Sequence, residues 1–298
     1  MSSKIPFIVV ENRENETLTA CKLSAKLADE SLAVLSSTTV GAAYAALSAA
    51  YVHMSSNSPA FELICFRRYF LLQLHLDAHP EIDRFVLIDS DVLLFPGVGT
   101  YFERLAALSA FAGSAVIARG WNPRQISPHV SLWSRDSLAS FLAYVLQTYT
   151  SAEGLAKLRA IEAEFQREGR RGGISDMTLL YLWAEAMGHV RPCNQITRFG
   201  VVDHNINISD NHAESEFVMR GGAKKLTYIN GQPYLTTVRG DTVKALALHF
   251  QGKGKIIMKD ALMARQMRVI LISYALLMAR HVRDRLFILK TITLRPQR

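Results

Sequence analysis

Two aspartates, Asp89 and Asp91, interrupt an otherwise apolar run, RFVLIDSDVLLF, at residues 84–95. An ionised carboxylate is costly to bury unless something compensates it. Either both acids sit at a strand end open to solvent, or a cation meets them there. Hard cations such as magnesium and manganese take oxygen ligands, usually one or two carboxylates together with substrate phosphates. Taken alone, the same pattern also reads as a strand-end turn.

A second segment, HFQGKGK at residues 249–255, follows the apolar ALAL. His249 at a strand end is a good manganese ligand. Gly252 lets the backbone come close to a phosphate. Lys255 can neutralise a diphosphate. Each segment by itself has the plain reading of a turn after a strand; together they point to a cation holding a phosphate ester.

These side chains need elements to position them. Residues 5–10 read as a buried first strand, 18–32 as a helix and 33–36 as a short second strand. Apolar residues at helical spacing predict a helix over 61–78, which Pro80 closes. The continuous apolar run 85–89 predicts a strand covered on both faces. Further strands are expected at 114–118 and 129–133, then helices at 136–149 and 152–166. Ser175-Asp176 is a good N-terminal pair for a helix over 177–187. Late strands are expected at 197–208, 226–229, 234–238 and 245–250. Strands alternating with helices imply an α/β fold with a mostly parallel central sheet flanked by helices, and ligand at the carboxyl ends of its strands. Asp89 and Asp91 fall at such an end.

The chain has 298 residues, enough for one large α/β domain or a domain plus an appendage. About half the residues are apolar, as in a globular protein. The net charge of +8 is uneven: ten of the 34 basic residues and two of the 26 acidic ones lie from Lys255 onward, leaving 24 of each before it. A neutral body argues against nucleic-acid binding. Cys21, Cys65 and Cys193 form no CxxC pair, so neither a zinc site nor a disulfide framework is suggested. No signal-peptide pattern opens the sequence and no apolar run is long enough to span a bilayer, which predicts a cytoplasmic location. Residues 1–255 are therefore read as a catalytic domain and 256–298 as a basic, amphipathic helical tail. Lysines and arginines among apolar residues suit helices lying on an anionic membrane surface. The alternative is a helical pair packed back on the domain with a solvated basic face.

Through FELICFRRYFLLQLHLDAHPEIDRFVLIDSDVLLF and LALHFQGKGK, the chain resembles the GT-A-fold (Rossmann-like) glycosyltransferases, most nearly the family 8 type related to glycogenin and bacterial galactosyltransferases. The resemblance implies that Asp89, Asp91 and His249 hold manganese (or magnesium), that the metal binds the diphosphate of a UDP-sugar, and that Lys255 contacts that diphosphate. A helix arginine, Arg68 in preference to Arg67, would lie near the donor. It further places Glu11, Asn12 and Arg13 beside the nucleotide base and ribose, though the same residues also read as a solvated charged loop. Asn122 and His129 are expected toward the donor sugar, with a hydrogen-bonded structural histidine as the other reading of His129, and Asp203-His204-Asn205 on the acceptor side. Asp176 would stand near sugar and acceptor, as general base in an inverting enzyme or as a donor-orienting carboxylate in a retaining one. Lys255 is followed by Ile256-Ile257 rather than Pro-Trp, and Asp176-Met177 replaces the usual Asp-Gln pair, so retention and inversion stay open.

The expected activity is transfer of a sugar from a UDP-sugar to a hydroxyl of a glycan or glycolipid, of the surface-polysaccharide or lipopolysaccharide type, by an enzyme peripheral to the cytoplasmic face of a membrane. A degenerate fold serving as a membrane-bound scaffold or sugar-binding protein is the alternative. A haloacid-dehalogenase-like phosphatase also carries DxD after an apolar strand, but usually near its domain's start and with a later acidic pair that this chain lacks.

Overall fold

The computed structural model describes residues 4–115, 124–169, 172–188 and 191–293. β1 (Phe7–Val10) leads into α1 (Glu16–Leu27), β2 (Leu32–Leu35), α2 (Ala42–Ala50) and α3 (Pro59–Ala78). Next come β3 (Arg84–Ile88), β4 (Val92–Leu94), α4 (Val98–Ala106), β5 (Phe111–Ala115) and β6 (Ile126–Ser134). Three helices follow: α5 (Arg135–Thr150), α6 (Ala152–Arg167) and α7 (Asp176–Ala186). The strands β7 (Arg191–Pro192), β8 (Val201–Val202), β9 (Met219–Arg220) and β10 (Ala223–Lys224) are short. β11 (Leu226–Ile229), β12 (Gln232–Thr236) and β13 (Thr242–His249) are longer, and α8 (Lys255–Leu262) and α9 (Gln266–Thr293) follow them.

The central sheet has the order β2-β1-β3-β6-β5-β7. β1 pairs in parallel with β2 and β3, and β5 with β7, while β6 lies antiparallel between β3 and β5. It is a mixed, mostly parallel sheet, and period-two alternation sends its side chains to opposite faces. Phe7, Val9, Val86 and Ile88 enter one apolar cluster with α1 and α4; Ile8, Phe85 and Leu87 enter the other with α3, α5 and α7. Cover on both faces explains why β3 is apolar at every position from Phe85 to Ile88. A second sheet, β11-β12-β13-β4, is antiparallel, with β8 added in parallel to β13.

The strand expected over 197–208 is present only as β8. Asn207 N–H bonds the Asn205 side chain at 2.9 Å, and Gly200 at φ +131° breaks the run, so local side-chain bonds replace the ladder. α1 ends earlier than expected because Asp29, at φ +59°, turns the chain and Leu32–Leu35 pair with β1. Of the strand expected at 114–118, residues 116–118 lie outside the described residues.

The packed body runs past residue 255. Ile257, Met258, Ala261 and Val269 are buried in the same cluster as Phe250 and Leu248. α9 runs close to the β9–β10 turn, where a Cβ on Gly221 would meet Ile270 O at 3.1 Å. Beyond this, Leu271, Tyr274, Met278, Val282 and Leu286 are exposed. Among the described residues no helix is long and apolar enough to cross a membrane.

Candidate metal centre

β3 and β4 are joined by the turn Asp89-Ser90-Asp91, closed by Val92 N–H on Asp89 O at 3.2 Å. β3 belongs to the central sheet and β4 to the second, so the turn lies where the two sheets meet. β13 pairs antiparallel with β4, with His249 opposite Val92 and Phe250 N–H donating to Asp91 O at 2.9 Å. This register carries His249 from the far end of the sequence to Asp91. One ligand atom each from Asp89, Asp91 and His249 lie within 4.8 Å of one another.

His249 Nδ1 lies 2.6 Å from His204 O. A carbonyl only accepts, so Nδ1 carries the proton and, in the neutral ring, Nε2 is the lone-pair atom. Nε2 faces Asp91 Oδ1 at 3.5 Å. Burial disfavours charge on this ring, yet hydrogen bonding to Asp91 and the charges of both aspartates outweigh it and raise its pKa. The same negative field suits a divalent cation in place of the proton. Two carboxylates and one imidazole form a donor set that fits manganese, and magnesium through the oxygens.

The two aspartates are held differently. Burial opposes ionisation of Asp91, but His249 and Lys255 prevail and take it down to about 2; the Lys255 ammonium is 3.0 Å from Asp91 Oδ2. Burial raises Asp89, Arg68 opposing and Asp91 adding to the rise. Arg68, on α3, donates to Asp89 Oδ1 and to Asp176 Oδ2, both at 2.8 Å. Arg67 instead turns to Ser37 O, at 3.0 Å.

Asp176 opens α7 and is 3 % exposed. Besides Arg68 it accepts from the Tyr69 hydroxyl at 3.0 Å and from Met177 N–H at 2.9 Å. Glu11 lies on the other side of the aspartate turn, taking the Ser90 hydroxyl at 3.1 Å and two Arg13 nitrogens at 2.9 and 3.1 Å. Burial pushes Glu11 up, and the bonds from Arg13 and Ser90 pull it below its ordinary value. Asn12 and Arg13 are exposed. Gly252 adopts φ +58°, with no atom near the position of a Cβ.

Two sequence expectations meet a different geometry. His129, expected toward the donor sugar, is 1 % exposed and bonded at both ring nitrogens, to Ser127 Oγ at 2.8 Å and Asp203 O at 3.1 Å. Strand β6, antiparallel to β3, places it behind the site, stacked on His249 at 4.2 Å and 14°. Asp203, expected on the acceptor side, has no exposed surface and is ion-paired with Lys224. Asn122 lies outside the described residues. The sequence reading missed Tyr69, Ser90 and Lys224, and it gave His204 only as part of an acceptor-side stretch. Tyr69 and Ser90 adjoin residues it singled out; His204 acts through a carbonyl, and nothing in GGAKKLTY marks Lys224 as buried.

Neither a family model nor a curated protein matches the chain. Among solved structures it is similar to a glycosyltransferase involved in the glycosylation of the major capsid of PBCV-1, at 15% identity and TM-score 0.33, over 57% of this chain and 81% of that one. It is also similar to mouse xyloside xylosyltransferase 1, at 11% identity and TM-score 0.40, over 64% of this chain and 85% of that one. At these scores the likeness is one of outline and assigns no residue a role.

Proposed function

We propose that the chain is a metal-dependent glycosyltransferase of the GT-A type, moving a sugar from a UDP-sugar to a hydroxyl of a glycan or glycolipid. The observation that carries this reading is the convergence of Asp89, Asp91 and His249, brought together by the β4–β13 register. Those residues would hold a manganese ion, whose chemistry is to stabilise the departing diphosphate as a Lewis acid. Lys255 already lies against Asp91 and is half-exposed, within reach of a diphosphate that a cation on the same carboxylate would hold. Glu11 and Arg13, across the turn, suit the nucleoside. Asp176 suits the sugar end, fixed through Arg68 to the metal ligand Asp89.

The sequence resemblance to family 8 supports the UDP-sugar assignment. The exposed apolar residues of α9 and the basic charge around them support attachment to the cytoplasmic face of a membrane and a lipid-linked acceptor. A phosphatase is less well served: among the described residues the cluster offers two acids and a histidine, without the later acidic pair.

Calorimetric titration of UDP, with and without manganese, into wild type and Asp91→Asn tests the reading. Manganese-dependent binding that the substitution abolishes is expected. Folded wild type that binds UDP under neither condition sinks it.

A further inference from the structure

A lysine and an aspartate with no exposed surface form an ion pair immediately behind the proposed cation site. The Lys224 ammonium donates to Asp203 Oδ1 and, at 3.2 Å, to Asp210 O, and lies 5.1 Å from the centre of the Phe217 ring. Buried pairs of this kind commonly contribute no more to stability than apolar residues of the same size. A role in the fold alone is therefore a weak account of this one.

Its surroundings supply another. Asp203 Oδ2 faces His249 N–H at 3.4 Å, and Asp203 O takes the His129 ring that lies flat on His249. The next carbonyl, His204 O, takes His249 Nδ1. Ile206 N–H donates to His249 O at 2.9 Å, and Lys224 N–H to Ile206 O at 2.7 Å. Residues 203–206 thus hold His249 at its backbone and at Nδ1, and through His129 at one ring face. Lys224 fixes this turn by both its backbone and its ammonium.

We infer that the Asp203–Lys224 pair is a positioning device for His249, locking the 203–206 turn so that His204 O holds the Nδ1–H tautomer and leaves Nε2 for the cation. This rests on the reading of Asp89, Asp91 and His249 as a cation site. Groups that orient a ligating histidine typically change metal affinity 10- to 100-fold when altered.

The test uses the full chain and two readouts. The charge-free pair Asp203→Asn/Lys224→Met is compared with wild type by calorimetry of manganese in the presence of UDP. Ring-nitrogen correlation spectra report the His249 tautomer without added metal, at a pH where the ring is neutral. Phe217→Leu, which loosens packing around Lys224 but leaves the pair, is the control for stability. Expected are a single Nδ1–H tautomer in wild type, about tenfold or greater loss of manganese affinity in the double variant, and unchanged affinity in Phe217→Leu. Affinity within twofold of wild type in a folded double variant overturns the role given to the pair. So does an Nε2–H tautomer in wild type, a measurement that stands even if the double variant does not fold. Wild type that binds no manganese overturns the cation reading itself, a distinguishable failure.

Discussion

The guanidinium of Arg68 joins Asp89 to Asp176, with one nitrogen on each carboxylate at 2.8 Å. One side chain of α3 thereby ties the end of β3 to the start of α7, two elements that contribute different ends of the site. Removing it leaves two carboxylates facing the space the guanidinium filled. Arg68→Met should cost about 3 kcal/mol, in the range for breaking a largely buried pair. Arg68→Lys keeps the charge but cannot make both bonds at once. It should recover most of the stability and less than a tenth of the transfer rate. Thermal unfolding with a donor-hydrolysis assay checks this; full activity in the lysine variant would dismiss the bridge.

Gly173 lies three residues before Asp176, on the segment that leads into α7. It adopts φ +140°, and a Cβ there would stand 2.2 Å from Met54 O. Ile174 N–H donates to that same oxygen at 2.7 Å. Gly173→Ala combines backbone strain with a backbone clash and should cost about 2–3 kcal/mol. Gly169, at φ +62° with nothing within 4 Å of a Cβ, is the control. Gly169→Ala should cost clearly less, and only Gly173→Ala should slow transfer, by shifting Asp176. Equal losses of stability and rate in both variants would remove the contact from the account.

Parts of this site were legible in the sequence for definite reasons. Asp89 and Asp91 stand out because a run apolar enough to be covered on both faces does not carry two acids idly. The strands and long helices follow from apolar periodicity. The meeting of His249 with Asp91 does not, since an antiparallel register between β4 and β13 creates it; residue types suited to one cation, and then the resemblance, suggested the pairing without showing the contact. The burial of Asp203 leaves no trace in the polar stretch around it, and its partner Lys224 gives no local signal either. The antiparallel insertion of β6 and the stacking of His129 on His249 arise from tertiary packing.

Buried histidines give the fold an acid sensitivity. Burial drives His204 down to about 3, with the charges of His249 and Lys224 adding to the fall, and His129 is likewise lowered. An unfolded histidine titrates near 6.5, so the unfolded chain binds more protons at pH values between the two. Stability from His204 is fully present above about 6.5 and falls by roughly 1.4 kcal/mol per pH unit below it, until the folded ring titrates. His204→Gln should reduce proton uptake on unfolding at pH 5 by about one. Denaturant titrations from pH 4.5 to 7.5 measure this; an unchanged slope in the variant would refute it.

The exposed face of α9 makes the membrane proposal testable apart from catalysis. Met267, Leu271, Tyr274, Met278, Val282 and Leu286 are 48–66 % exposed and recur every three or four residues, a continuous stripe on a helix. Arg280, Arg283 and Arg285 accompany it. Apolar insertion and attraction to anionic headgroups should act together, the latter worth about 1 kcal/mol per basic residue near the surface. Leu271→Glu/Met278→Glu should abolish sedimentation with vesicles containing anionic lipid while leaving the unfolding temperature and UDP binding unchanged, because both side chains already face solvent. Binding by wild type should weaken as salt rises, and should be poorer on vesicles of neutral lipid. Vesicle binding that survives the double substitution would move the membrane contact off this stripe. Concentration-dependent self-association of wild type that the substitutions abolish, with no vesicle binding, would assign the stripe to a second copy of the chain instead.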